Sequence, residues 1–219
     1  MFSQAIIKMI GKGILETLYM TFFSSFLAYL LGLPLGIILV VTDKNGIAPC
    51  AVLNKILGVI VNLVRSIPFV ILMVALIPFT RALIGTTLGP NAVVVSLVIG
   101  SAPYIARLVE SSLKEVDHGV IEAAQSMGAS PIQIVFKVMI PEAMPSLIIG
   151  GAIAIITILG YSAMAGFVGG GGLGTIAINY GYHRYQTDIM IVTLILMVII
   201  VQGIQEIGTR LMKRIDKRL

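Results

Sequence analysis

"IEAAQSMGASPIQIVFKVMIP", residues Ile121 to Pro141, interrupts a chain that is otherwise almost wholly apolar. Asp117, just ahead of it, can cap a helix running to Met127, because an Asp carboxylate satisfies the free N–H groups of a first turn. Gly128 is placed to end that helix in the left-handed conformation. Ser130 then caps a second helix with Pro131 at its first position and Gln133 completing a capping box, and Pro141 is expected to stop it. The product is a short helix, a tight glycine turn and a second helix over about residues 115–141. Glu122, Gln125, Ser126 and Gln133 make this element too polar to bury in lipid, and no basic cluster grips anionic headgroups there. A docking surface for a soluble protein fits better than a hairpin lying on the bilayer.

The surroundings are a membrane protein's. Hydrophobic residues make up 58% and charged residues 11%, with a mean hydropathy of +1.03, where a soluble domain carries about 25% charge. At about 20 apolar residues per crossing, 219 residues hold about four to six spans. That leaves one transmembrane domain, 1–219, and no room for a soluble catalytic domain. The net charge of +5 does not point to nucleic acid. Its basic residues sit at the ends of apolar runs and in a C-terminal cluster (Arg210, Lys213, Arg214, Lys217, Arg218), as orientation signals and contacts to anionic lipid do. Cys50, the single cysteine, excludes an intrachain disulfide and is read as an inert thiol. Lys8 and Lys12 precede an apolar run as in a signal peptide, but the charge-free stretch from Thr17 to Thr42 is 26 residues, against about 7–15 in a cleaved signal. It is expected to remain and span.

Charges divide the chain into five candidate spans: Leu15 to Val41, Ile56 to Phe79, Asn91 to Ser111, Ala143 to Ala165, and Thr187 to Gly208. With the C-terminus in the cytoplasm, 11 of the 15 Lys and Arg fall inside and 4 (Lys8, Lys12, Arg81, Arg184) outside. The positive-inside rule therefore places the N-terminus outside and the quoted stretch in the cytoplasm. Pro34, Pro68, Pro78 and Pro103 fall within spans or at their ends, where kinks are expected. Gly32 and Gly36 form a small-xxx-small pair that permits close helix contact.

Glu122-Ala123-Ala124, three residues, Gly128, nine residues and Val138-x-Ile140-Pro141 resemble the EAA loop of permease subunits of ATP-binding-cassette importers, with conservative departures at Val138 and Ile140. "RSIPF" (65–69), "APYIARLVE" (102–110) and "GYSAMAGFVGGGGLG" (160–174) are similar to permeases of methionine importers, and the likeness covers most of the chain. The resemblance implies an all-α integral membrane fold with five transmembrane helices, the small type I importer permease, in the cytoplasmic membrane. It implies that Glu122, Ala123, Ala124, Gly128, Ser130, Pro131 and Pro141 couple to a cytoplasmic ATPase. ATP and Mg would bind that ATPase and no cofactor this chain, which would form a homodimer served by an extracytoplasmic binding protein. The transported solute would be methionine, with another small amino acid or polar solute as the alternative.

Other chemistry is missing or weak. No Walker A motif follows "GKG" at 11–13, so energy must come from a partner or an ion gradient. Gly169, Gly171 and Gly174 satisfy the spacing of a dinucleotide fingerprint but follow a membrane span, not a strand; a close-packed outer loop is the better reading. Glu16, Glu110 and Glu206 are expected at span ends, unlike the intramembrane acids of ion-coupled carriers. A scaffold without transport is the third alternative. His118 and His183 are lone loop histidines, with no metal-ligand cluster around them. Arg65 is expected either to snorkel to headgroups or to pair with Glu110. Thr157, Tyr161, Ser162 and Met164 of the fourth span are the candidate pore and gate residues, since a zwitterion needs polar, weakly binding walls.

Overall fold

In a computed structural model of the chain, residues 4–215 are described; Lys217 and Arg218 of the basic cluster lie outside them. Every regular element among these residues is helical. The long helices are α1 (Gln4–Val41), α5 (Pro90–Lys114), α9 (Met144–Met164) and α11 (Thr187–Ile215). Shorter ones lie between them: α2 (Ala51–Ser66), α3 (Phe69–Ala75), α4 (Ile77–Ile84), α6 (His118–Ser126), α7 (Pro131–Ile134), α8 (Ile140–Glu142) and α10 (Gly172–Ile176). Four helical stretches, α1, α5, Met144–Val168 and α11, are long and apolar enough to cross a bilayer.

The second expected span, Ile56 to Phe79, is not one straight helix. α2 and α3 meet at 100°, and only the bent pair taken together gives a fifth span. Pro68 is the cause: it lacks an N–H and disfavours the helical conformation at Ile67. Pro78 then sits in the first turn of α4, where its missing donor costs nothing. α1 also begins earlier than Leu15, which puts Glu16 well inside a helix of 38 residues rather than at its end.

The chain divides into two compact units. The first combines the described part of Met1–Ala28 with Ile67–Ser101 and Ile155–Gln205; Met20, Leu97, Ile158 and Leu173 are its largest fully buried apolar side chains. The second combines Tyr29–Ser66, Ala102–Ala154 and the described part of Glu206–Leu219, around Leu39, Ile105, Val109, Leu113 and Ile134. There α1 and α5 approach closely at the expected glycine pair. A Cβ on Gly32 would lie 2.7 Å from the Ala102 carbonyl oxygen, and one on Gly36 2.6 Å from that of Ala106. No side chain fits at either position, so the small residues set this helix contact. The Asn54 side chain closes the end of α1, donating to the Leu39 carbonyl at 2.7 Å and to Thr42 Oγ1 at 3.2 Å.

Candidate functional site

The segment after α5 folds as its sequence dictates. Asp117 caps α6, its Oδ1 accepting from the Gly119 N–H at 2.7 Å. Gly128 takes φ +80°, and its N–H reaches the Gln125 carbonyl at 2.9 Å to close the turn. Ser130 and Gln133 form the reciprocal capping box over Pro131, with contacts of 2.9 and 3.4 Å.

Pro141 does not stop the second helix. The backbone widens into a π-turn over Val135–Met139, where the Ile140 N–H bonds to the Val135 carbonyl, and helix resumes through Pro141 to Glu142. A proline ring clashes with the carbonyl four residues back in a regular helix; the extra residue in the preceding turn relieves that crowding.

The element has two faces. Ile121, Ala124, Ile134, Val135 and Met139 are buried, whereas Glu122, Ala123, Gly128, Ser130 and Pro131 are exposed. The most exposed large apolar side chains of the element are Met127 at 82%, Ile132 at 72% and Phe136 at 62% exposure. Apolar side chains grouped at a polar, capped tip are what a contact surface would use. Sequence reasoning missed these three, although the i, i+4 spacing of Ile132 and Phe136 signals one helical face.

Behind this element lies a charge network. Glu110 is buried, at 8% exposure, and its two oxygens bond to Arg107 at 2.5 Å and Lys114 at 3.0 Å. Lys114 also bonds to Asp43 at 2.8 Å, and hydrogen bonding to this ammonium holds the Asp43 carboxyl below its usual range. Arg107 extends to Asn62 at 2.9 Å. The expected pairing of Arg65 with Glu110 is therefore not the one formed: Arg65 is exposed at the end of α2, and both Glu110 oxygens are taken. The spacing of Arg107, Glu110 and Lys114, three and then four residues, was the legible signal. A cavity of about 420 Å³ separates Asp43 and Lys114 from Glu122 and Gln125, with Leu113 and Ile121 among its apolar lining.

The pore candidates divide. Thr157, Tyr161 and Met164 are spaced to share one face of α9; Met164 is 42% exposed, and Tyr161 stacks on Phe69 with centroids 4.4 Å apart. Ser162 does not join them. It is buried, and its hydroxyl donates to the Leu159 carbonyl at 2.7 Å.

The glycine run is close-packed as expected, a Cβ on Gly174 running into the Ala163 carbonyl oxygen, but its backbone is largely helical rather than a plain loop. After a 3₁₀ turn at Ala165–Val168 it forms α10 and a π-turn at Ala177–Tyr182. α1 holds its start: Glu16 accepts from the Gly172 N–H and Thr17 Oγ1 from the Leu173 N–H, both at 2.8 Å. Glu16 lies within the helix, where it serves a backbone donor of the fold. His118 and His183 are exposed as expected, and so is Cys50.

Comparison with known proteins adds to this geometry. Residues 32–219 match the family described as binding-protein-dependent transport system inner membrane component. The chain is 50% identical over 203 residues to the probable D-methionine transport system permease protein MetI of Vibrio cholerae, covering 93% of this chain and 90% of that protein. It is 49% identical over 181 residues to the methionine import system permease protein MetP of Bacillus subtilis, covering 83% and 82%. A solved inward-facing structure of the MetNI methionine ABC transporter superposes with a TM-score of 0.97 at 46% identity, over 99% of this chain and 100% of that one.

Proposed function

The chain belongs to the family of binding-protein-dependent transport system inner membrane components, and from that premise we propose that it is the membrane-spanning subunit of an ATP-driven methionine importer. The observation that carries this reading is the capped helix–glycine–helix element, with Met127, Ile132 and Phe136 left bare at its surface. Nothing in a lone membrane subunit explains such a tip; a cytoplasmic ATPase that takes it into a groove does. Methionine enters from the names borne by relatives about half identical to this chain.

In this reading two copies form the pore and two ATPase subunits bind their cytoplasmic faces, with the N-termini outside and the coupling elements inside, in the cytoplasmic membrane. Glu122, Ala123, Gly128, Ser130 and Pro131 lie at the ATPase contact. Ala124 faces inward and fixes the α6 packing, and Pro141 lets the second helix run on toward α9. ATP shifts the pore between inward-open and outward-open only if the closed ATPase pair binds it more tightly than the open pair does. The caps on α6 and α7 keep the element stiff, so closure is transmitted as rigid displacement rather than absorbed as bending. Thr157, Tyr161 and Met164 offer one hydroxyl, one phenol and one soft thioether along the path, walls that pass a zwitterion without retaining it. A binding protein outside supplies the affinity.

The test is growth. Cells that cannot synthesise methionine and lack their own importer should grow on low methionine when given this chain with its ATPase and binding protein. They should fail to grow when the chain is omitted. Uptake by these cells of another labelled amino acid but not of methionine would remove methionine while leaving the importer, and growth without the ATPase would remove the importer.

A further inference from the structure

A groove of about 530 Å³ lies in the first compact unit, walled by α1, α4 and the first half of α5. Phe23, Leu27, Phe79, Leu83, Val95 and Val98 line it. Its polar atoms come from the Tyr19 hydroxyl and the Asn91 amide, which are bonded to each other at 2.9 Å. Such a lining does not hold water, since buried water needs two to four polar partners. In a chain with four helices able to cross a bilayer, the medium that meets this groove is hydrocarbon.

The groove has polarity along α1. Lys12 precedes Tyr19 by seven residues, two turns on the same helical face, and so stands about 10 Å nearer the start of the helix. Its side chain is 78% exposed and meets Glu16 at 3.4 Å. The other oxygen of Glu16 is turned inward onto the Gly172 N–H, which leaves the ammonium as the outward charge. Cation, hydroxyl–amide pair and hydrocarbon trough follow one another in the order of phosphate, ester region and chain in a phospholipid.

We propose that this groove is a lipid site, holding one acyl chain of an anionic phospholipid whose phosphate meets Lys12 and whose ester region lies at Tyr19 and Asn91. A second copy of the chain is the poorer occupant: a helix is about 10 Å across, so 530 Å³ admits only about one turn of it. A single hydrocarbon chain fits lengthwise.

The sequence supplies the means of testing this, because the chain contains no Trp. Phe79→Trp places one reporter in the groove, and Ile199→Trp places one on the exposed face of α11, where Ile199 is 59% exposed. Each full-length variant is reconstituted in nanodiscs with rising fractions of phosphatidylglycerol brominated on its acyl chains. Quenching of Phe79→Trp should saturate at a several-fold lower fraction than quenching of Ile199→Trp. Adding Lys12→Gln should remove the advantage over brominated phosphatidylcholine, and Val98→Phe, which fills the trough, should abolish early saturation. Leu83→Trp replaces Phe79→Trp if that variant does not fold. Identical curves at the two positions would mean bulk lipid only and overturn the site. An unquenched groove reporter would mean that protein covers it and would overturn the site equally, while an unaltered preference in Lys12→Gln would overturn the headgroup assignment.

Discussion

Gly128→Val should leave the chain in the membrane and weaken its capture of the ATPase subunit at least tenfold, whereas Gly128→Asn should retain most of it. Gly128 has φ +80°, and a Cβ there meets nothing within 4 Å. The penalty is therefore conformational, not a clash. A non-glycine residue in this region costs about 1–3 kcal/mol, and a β-branched side chain suffers most while Asn tolerates it. At about 1.4 kcal/mol per tenfold, the strain alone accounts for the loss if the docked turn must keep its shape. If the turn relaxes instead, Met127 and Ile132 no longer stand on one surface, with the same result. Binding of purified ATPase to nanodisc-embedded variants measures this; a Val variant that binds like the parent would remove Gly128 from the coupling site.

Glu110→Ala should be the most destabilising single change in the charge network, at about 3 kcal/mol, the lower range for breaking a buried ion pair. It strips Arg107 and Lys114 of a shared carboxylate with only 10% of its side chain exposed. Partial exposure of the two cations, 26% and 47%, keeps the loss from being larger. Arg65→Glu should change stability little, because Arg65 is exposed and outside this network, and it should not rescue Glu110→Arg. Thermal unfolding of the detergent-solubilised chain reads both. Rescue of Glu110→Arg by Arg65→Glu would show that the two residues meet after all.

The parts of this protein legible in its sequence are those governed by local rules. The caps at Asp117 and Ser130, the glycine turn at Gly128 and the close approach at Gly32 and Gly36 each follow from a few neighbouring residues, and each is formed. The failures came where distant parts of the chain decide. Pro141 stops a helix in isolation, but a widened turn upstream carries the backbone through it. Pro68 signals a break, yet its 100° size depends on what α2 and α3 pack against. Glu110 has a possible partner across the fold in Arg65, but it takes the nearer ones, three residues back and four residues on. Ser162 is polar and sits beside the pore candidates, but a helical position 100° away from Tyr161 turns it into the core.

The most direct measurement is uptake of labelled methionine into proteoliposomes that contain this chain, its ATPase and its binding protein, with ion gradients collapsed and ATP present or absent inside. Uptake that requires ATP and persists without gradients is the expected result. Uptake that runs on a gradient in the absence of the ATPase would contradict it, and would make the helix–glycine–helix element at Ile121 to Pro141 something other than a coupling site.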